Sequence, residues 1–473
     1  MNDIDLKIID SIFKLSTSSY SEVRKEAQIQ LFNLLAHYPF AYLVLTPKIK
    51  ELLTNENINH DALKGCLYII KGNSLQSSFM VKQNWNIISE LWPALFQCKC
   101  YEKPSIQKLL DNIFENTNKN FDTFSFTTLL QESTLKMALN FHPIEEGEKC
   151  MKTRLDGFER YIDEANQLIK SLMEKIIEIT NQTQSIWKTQ AICFGTLIFL
   201  IYSLGKLNNE FVKIFVDSLV HENIVMRKIA IAGMCIILNE TKFKNPKREM
   251  PTTEVIKEKN VVINRACSGE RLDNEWHNLD NETFKVPDTD KEWSEIKFVD
   301  KTYYGYYCWP STIKITQSKR EFFDPNSDPN SGLMPIYKKF KDENYIQNLF
   351  KMLTIEEEKG KEKFDMKTFH LFKGLFRNFG EILIPNLIER IKLLIRDRSK
   401  DTHECSHRLA SELVAALIRG SKYWPLSKLK LLWVDLKEIF DLVVEQMSPE
   451  TLQFWQTCFS TSMVSHHNHR DVS

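Results

Sequence analysis

An all-α fold, a superhelical α-solenoid of stacked helix hairpins, is what this 473-residue sequence predicts. Three observations point there. Apolar residues recur at spacings of three and four over two long blocks, the period of a helix and not of a strand. Gly and Pro number only 14 and 15, too few for the turns of a β-sandwich or for a disordered chain. The periodic segments are of moderate length and joined by short polar turns, so no hairpin can bury its stripe alone and successive pairs must stack.

Near the start, Val23, Ala27, Leu31, Leu34 and Leu35 form one stripe that stops before Pro39, with Ser19 and Glu22 spaced as a capping box in front of it. Between 158 and 179 the stripe is Phe158, Tyr161, Ala165, Leu168, Leu172, Ile176 and Ile179. Helices are expected at about 187–204, 208–219 and 224–238, then at 343–353, 365–378, 382–396, 403–420 and 426–447. In the later set Ile384, Leu387, Ile388, Ile391, Leu394 and Ile395 give the clearest apolar face. The apolar run AICFGTLIFLIYSL at 191–204 is too short to cross a bilayer and reads as a buried helix, so a soluble protein is expected.

Two segments share a local pattern, VRKEAQIQLFNLL from Val23 and MRKIAIAGMCIIL from Met226. Each places an Arg-Lys pair before an Ala three residues after the Arg, then an apolar run ending in Leu. That suits a HEAT/armadillo-like repeat, in which a basic residue early in the second helix ties to an acidic group nearby and small residues permit close packing. Between about 241 and 340 the texture changes: KNPKREMPTTEVIKEKN is charged, and FFDPNSDPNSGLMP is dense in turn signals. Between them KTYYGYYCWP sets Tyr303, Tyr304, Tyr306, Tyr307 and Trp309 around Gly305. Such a cluster can stack nucleobases, but the stretch before it is acid-rich, so an irregular connector anchored by its aromatics fits better. The expected organisation is repeats over 1–240, an irregular aromatic-rich insertion over 241–340 that breaks the array into two arms, repeats over 341–460, and a divergent polar tail over 461–473.

Composition narrows function. Lys plus Arg equals Asp plus Glu, at 62 each, which leaves no basic excess for broad nucleic-acid binding. The ten cysteines are scattered, and only Cys98 and Cys100 are close neighbours, so no zinc knuckle forms and reduced core thiols are expected. The N-terminus MNDIDLKIID lacks the basic and apolar regions of a signal peptide. One motif invites chemistry: HECSH, with His403 and His407 one turn apart and Glu404 beside the first, matches the zinc-peptidase pattern H-E-x-x-H. A working site needs a third ligand, and residues 425–432, PLSKLKLL, supply none; the longer zincin pattern would need Gly and His where Ala410 and Leu413 stand. The blander reading is a solvated first turn with Asp401 as N-cap and Glu404 three residues on. No P-loop or catalytic triad can be placed, and His466, His467 and His469 read as an exposed terminal cluster. No catalytic, cofactor-binding or metal-binding residue is therefore expected.

Three strings carry a family resemblance: KTYYGYYCWP; EEKGKEKFDMKTFHLFKGLFRNFG at 357–380; and LIRGSKYWPLSKLKLLW at 417–433. Their shared elements are Lys301-Thr302 with Gly305-Tyr306-Tyr307 and Trp309-Pro310; Lys359-Gly360-Lys361 with Phe364; Leu371-Phe372-Lys373-Gly374 with Phe376-Arg377-Asn378-Phe379; and Arg419-Gly420-Ser421-Lys422 with Trp424. In order and spacing they resemble the giant single-chain HEAT-repeat proteasome activators. The resemblance implies a closed helical-repeat dome that sits on the end of the 20S proteasome core, contacts its α-subunits, opens its gate without ATP and favours degradation of peptides and acetylated histones. It also implies a nuclear and cytoplasmic location, with links to DNA repair and spermatogenesis; from the charge balance and the short apolar run, neither nucleic acid nor membrane is expected as a direct partner. Family chains are several times longer, so this sequence is expected to be a middle portion. The acetyl-lysine-recognising region and the docking tail ending hydrophobic-Tyr-Ala lie further on in the family, whereas STSMVSHHNHRDVS is expected to depart from it after about Ser460. A generic HEAT-repeat scaffold or transport receptor would need the same helices without the proteasome.

Overall fold

A computed structural model describes residues 3–38, 41–55, 57–72, 85–98, 103–120, 145–182, 187–201, 209–241, 247–255, 289–295, 297–299, 311–317, 322, 323–327, 331–355, 363–399, 402–422 and 424–463. They form two units, Met1–Leu207 and Asn208–Ser473. The first holds α1 (Asp3–Ser16), α2 (Ser21–His37), α3 (Ala41–Thr54), α4 (His60–Lys71), α5 (Trp85–Phe96), α6 (Pro104–Asn120), α7 (Glu145–Gln182) and α8 (Trp187–Ile201). Here α1 packs on α2, α3 on α5, α4 on α6 and α7 on both α5 and α8, the side-by-side stacking of a solenoid. The second unit opens with α9 (Asn209–Ser218) and α10 (Ile224–Glu240).

The 241–340 segment is not wholly irregular. Lys247–Pro251 (β1), Lys297–Val299 (β2) and Thr312–Gln317 (β3) make an antiparallel sheet in the order β1-β3-β2, with Met250 opposite Ile313 and Phe298 opposite Thr316. Two short helices, α11 (Thr252–Val255) and α12 (Asp290–Glu295), accompany it. Ile313 and Ile315 alternate inward, as a strand with one buried face requires. The aromatic cluster at 301–310 lies outside the described residues, as do residues 464–473 with their three histidines.

Beyond the insertion run α13 (Met334–Lys341), α14 (Glu343–Leu353), α15 (Met366–Phe379), a 3-10 turn (Gly380–Leu383), α16 (Pro385–Ile395), α17 (His403–Gly420), α18 (Leu426–Gln446) and α19 (Leu452–Met463). Short polar side chains start several of these helices by accepting a first-turn N–H: Asn223 from Val225, Asp342 from Asn344 and Asp365 from Lys367. α15 packs on α10 on one side and on α17 on the other, while α16 meets α18 and α17 meets α19. The insertion therefore does not separate two arms. The array runs across it, because α10 and α15 join directly, and the boundary between units falls earlier, between 207 and 208.

The shared Arg-Lys pattern has a physical basis. Arg24 and Arg227 are both buried, and each sends Nη1 to the carbonyl six residues back, Ser18 and His221 respectively, at 2.8 Å. Arg227 also reaches the Glu222 carbonyl at 2.9 Å, whereas the Asp61 carboxylate stands 3.9 Å from Arg24. For Arg24 the expected acidic partner is thus secondary. These arginines chiefly satisfy carbonyls of the inter-helix turn that would otherwise be buried without a donor. Arg24 takes the inward place that the stripe assigned to Val23, which is exposed, and the Ser19–Glu22 box is not made, since α2 starts at Ser21 with Tyr20 before it and no side-chain cap.

Close packing depends on glycine at the seams. A Cβ on Gly233 of α10 would stand 2.4 Å from the Phe215 ring, whereas one on Gly157 of α7 would meet nothing within 4 Å. Gly233→Ala is therefore expected to destabilise by about 1–3 kcal/mol. Gly157→Ala is expected to stabilise by up to about 1 kcal/mol through helix propensity. Parallel denaturant titrations of the two variants check the opposite signs.

Candidate functional site

The HECSH turn opens α17. Helical spacing does bring the two imidazoles together, their ring centroids 4.6 Å apart and edge-on. The Nδ1 of each is engaged elsewhere. His403 Nδ1 donates to the Asp397 carbonyl at 2.6 Å, and Trp455 Nε1–H donates to His407 Nδ1 at 3.1 Å. With Nδ1 accepting, the neutral His407 ring carries its proton on Nε2 and offers no lone pair to an ion. That Nε2 makes no hydrogen bond of ordinary geometry, although the Ile395 carbonyl favours its proton. Among the described residues no group of three or more His, Cys, Asp or Glu side chains converges as a metal would require.

The turn is not solvated either. Cys405 through Ala410 are all buried, and His407 is fully so. Asp401 lies outside the described residues, and Thr402, which precedes the helix, makes no side-chain cap bond to it. The acid that organises the turn is Asp397. Its carboxylate accepts from the hydroxyls of Thr402 and Ser406, both at 2.6 Å, and from Ser399 N–H at 2.9 Å. Burial acts to raise the Asp397 carboxyl, but those three hydrogen bonds and the charge of His403 outweigh it and hold it below the ordinary carboxylate value. The arrangement joins α16, α17 and α19.

Burial, with the charge of His403, pushes His407 down to about 4. The unfolded chain binds this proton more tightly than the folded one, so the associated stability is complete above about pH 6.5 and is lost as pH falls toward 4. Thermal unfolding is expected to shift to lower temperature across that window, and His407→Leu to flatten the slope there. Cysteine chemistry is equally muted: burial pushes the Cys193 and Cys458 thiols up to about 12, the opposite of an activated nucleophile.

What the geometry does concentrate is inter-helix recognition along α15. Gly374 lets this helix approach α10, where an added Cβ would stand 2.9 Å from Leu238 Cβ. Arg377 Nη2 and Asn378 Nδ2 both donate to the Leu238 carbonyl, at 2.7 and 2.8 Å. On the opposite side Gly420 packs on Phe376, and Trp424 Nε1 donates to the Phe376 carbonyl at 3.3 Å. The strings LFKGLFRNFG and RGSKYW are therefore the seams between successive hairpins. Comparison with known sequences agrees: a family described as proteasome activator complex subunit 4-like, HEAT repeat-like, matches residues 210–472.

The chain belongs to this family. Human proteasome activator complex subunit 4 is 30% identical over 487 residues, covering 97% of this chain and 25% of its own length. Zebrafish subunit 4B is 29% identical, covering 97% of this chain and 26% of its own. The chain thus spans about a quarter of the length of the relatives it matches, and the family match extends past Ser460. Among solved structures, importin beta in a polyethylene glycol condition aligns with 96% of this chain and 48% of its own, at 10% identity and a TM-score of 0.38. Among the described residues, no helix is long and apolar enough to cross a membrane.

Proposed function

We propose that this chain is a non-catalytic helical-repeat module that binds the end of the 20S proteasome core, against its α-subunits, and takes part in ATP-independent activation of peptide and acetylated-histone degradation in the nucleus and cytoplasm. The observation that carries the reading is the family match across the α10–α15–α17 seams, supported by 30% identity to the human activator over nearly the whole chain. Stacked hairpins supply a semi-rigid wall able to bury the area a stable protein complex needs. The HECSH turn supports the non-catalytic part, because its imidazoles serve packing.

Purified chain mixed with purified 20S core tests the proposal on native gels and by hydrolysis of fluorogenic peptides. The chain is expected to shift the core band, and to show no peptide hydrolysis of its own in the absence of the core. Absence of a shift, with capture of transport factors in place of core subunits, would replace this reading with a generic scaffold. Cleavage by the chain alone that is chelator-sensitive and abolished by Glu404→Gln would overturn the non-catalytic assignment.

A further inference from the structure

We infer that Lys373 takes up carbon dioxide as a carbamate, the new carboxylate lying between the guanidinium groups of Arg377 and Arg419. Lys373 and Arg377 stand one turn apart on α15, so helical spacing puts them on the same face. Arg419 is the penultimate residue of α17, and the glycine after it seats that helix end against α15. A Cβ on Gly420 would stand 3.0 Å from the Lys373 carbonyl oxygen and 3.4 Å from the Arg377 backbone nitrogen. The Lys373 side chain is half-buried, with Nζ over the Phe369 ring at 5.6 Å from its centroid. Arg377 commits Nη2 to the Leu238 carbonyl, while its enclosed Nε has no hydrogen-bond partner among the described residues. The acids of these two helices are occupied or distant. Asp365 caps α15 two turns before Lys373, accepting from Lys367 N–H at 2.9 Å and the Thr368 hydroxyl at 2.8 Å. Glu412 is enclosed beside Arg408, and Glu404 lies at the far end of α17.

Carbamate formation needs a neutral amine and a site that prefers the product. Burial, with the charges of Arg419 and Arg377, pushes the Lys373 ammonium down to about 8. At about pH 7.5 roughly a quarter of such an amine is neutral, against about one in a thousand of an ordinary lysine. The free lone pair of Nζ forms a bond to the carbon of CO2. One C=O π pair moves onto oxygen, and Nζ gives up a proton to solvent, so the side chain ends in N–COO⁻ and nothing else is consumed. A cation crowded by two others thereby becomes an anion between two cations. The planar guanidinium fork matches a carboxylate in a way an ammonium cannot, and its charge-assisted hydrogen bonds are strong in a half-buried site. The carboxylate would tie α15 to the end of α17 beside Gly420, adding a CO2-dependent strap to the seam.

Trapping tests this on the full chain. The protein is equilibrated with carbon-13-labelled CO2 and bicarbonate at about pH 7.5, ethylated with triethyloxonium to fix any carbamate, and read by peptide mass spectrometry. A labelled ethyl carbamate is expected on Lys373, at least about tenfold above that on the exposed Lys367 of the same helix. Purging the parent chain with nitrogen before ethylation is expected to remove the adduct, a reading that does not depend on any variant folding. Lys373→Arg is expected to abolish it. Arg419→Lys keeps the positive charge but loses the fork. It is expected to leave acetylation of Lys373 by acetic anhydride, which reads the neutral amine alone, near the parent rate while lowering the carbamate about tenfold. Labelling of Lys373 no stronger than that of Lys367 overturns the inference. So does undiminished carbamate in Arg419→Lys, which would show that the guanidinium does not hold the product. Far-UV circular dichroism confirms that each variant is folded.

Discussion

Replacing Trp455 with alanine is expected to lower the stability of the Asn208–Ser473 unit by about 4 kcal/mol, the upper range for large-to-small changes in a core. Trp455 is fully buried on α19, and its indole meets the His407 ring edge-on at a centroid distance of 6.2 Å. Its N–H is also the donor to His407 Nδ1. Truncation therefore leaves a cavity between α17 and α19 and a buried imidazole nitrogen without its donor, two costs that add. Trp455→Phe separates them. It keeps most of the packing and loses only the hydrogen bond, so about 1–2 kcal/mol is expected. Urea titration followed by circular dichroism at 222 nm reads both variants. A cost below about 1 kcal/mol for Trp455→Ala would show that α17 and α19 are not packed as the structure has them.

How much of this was legible in the sequence depends on how far apart the partners lie. Helices 343–353 and 403–420 were readable to the residue, and α18 to within one, because their stripes are local and clean. The helices α3 and α5 escaped notice because Pro47 and Pro93 interrupt the helical reading from within. The sheet escaped because β1 and β3 are more than sixty residues apart and each is short. At the HECSH turn, the periodicity correctly put both histidines on one face of a helix. It carried no sign that Asp397, six residues earlier, would gather the turn, or that Trp455, 48 residues later, would occupy His407. The repeated Arg-Lys pattern was visible, but its acceptors were not: a backbone carbonyl leaves no trace in residue type. The strings LFKGLFRNFG and RGSKYW stood out as a resemblance before their work at the seams could be seen.

A buried ion pair holds α14, α15 and α17 together, and breaking it is expected to cost nearly as much as losing Trp455. Arg408 and Glu412 sit one turn apart on α17, with Nη1 and Oε1 3.7 Å apart and the glutamate fully enclosed. Arg408 Nη2 donates to the Leu353 carbonyl at the end of α14, at 2.7 Å. Glu412 Oε1 accepts from the N–H of Asp365, the residue capping α15, at 2.6 Å. The pair thus clamps the end of one helix and the start of the next onto a third. Arg408→Met leaves an enclosed carboxylate facing a thioether, and Glu412→Leu leaves an enclosed guanidinium; each is expected to cost about 3–5 kcal/mol. The double variant removes both charges together. It forfeits the Leu353 and Asp365 hydrogen bonds but leaves neither member of the pair enclosed without the other, so its cost is expected to fall well below the sum of the two single changes and near that of one. A double-mutant cycle by urea unfolding measures the difference. Strictly additive costs would mean that water reaches both groups and that the clamp is open, since solvated charges at this spacing couple by less than about 1 kcal/mol.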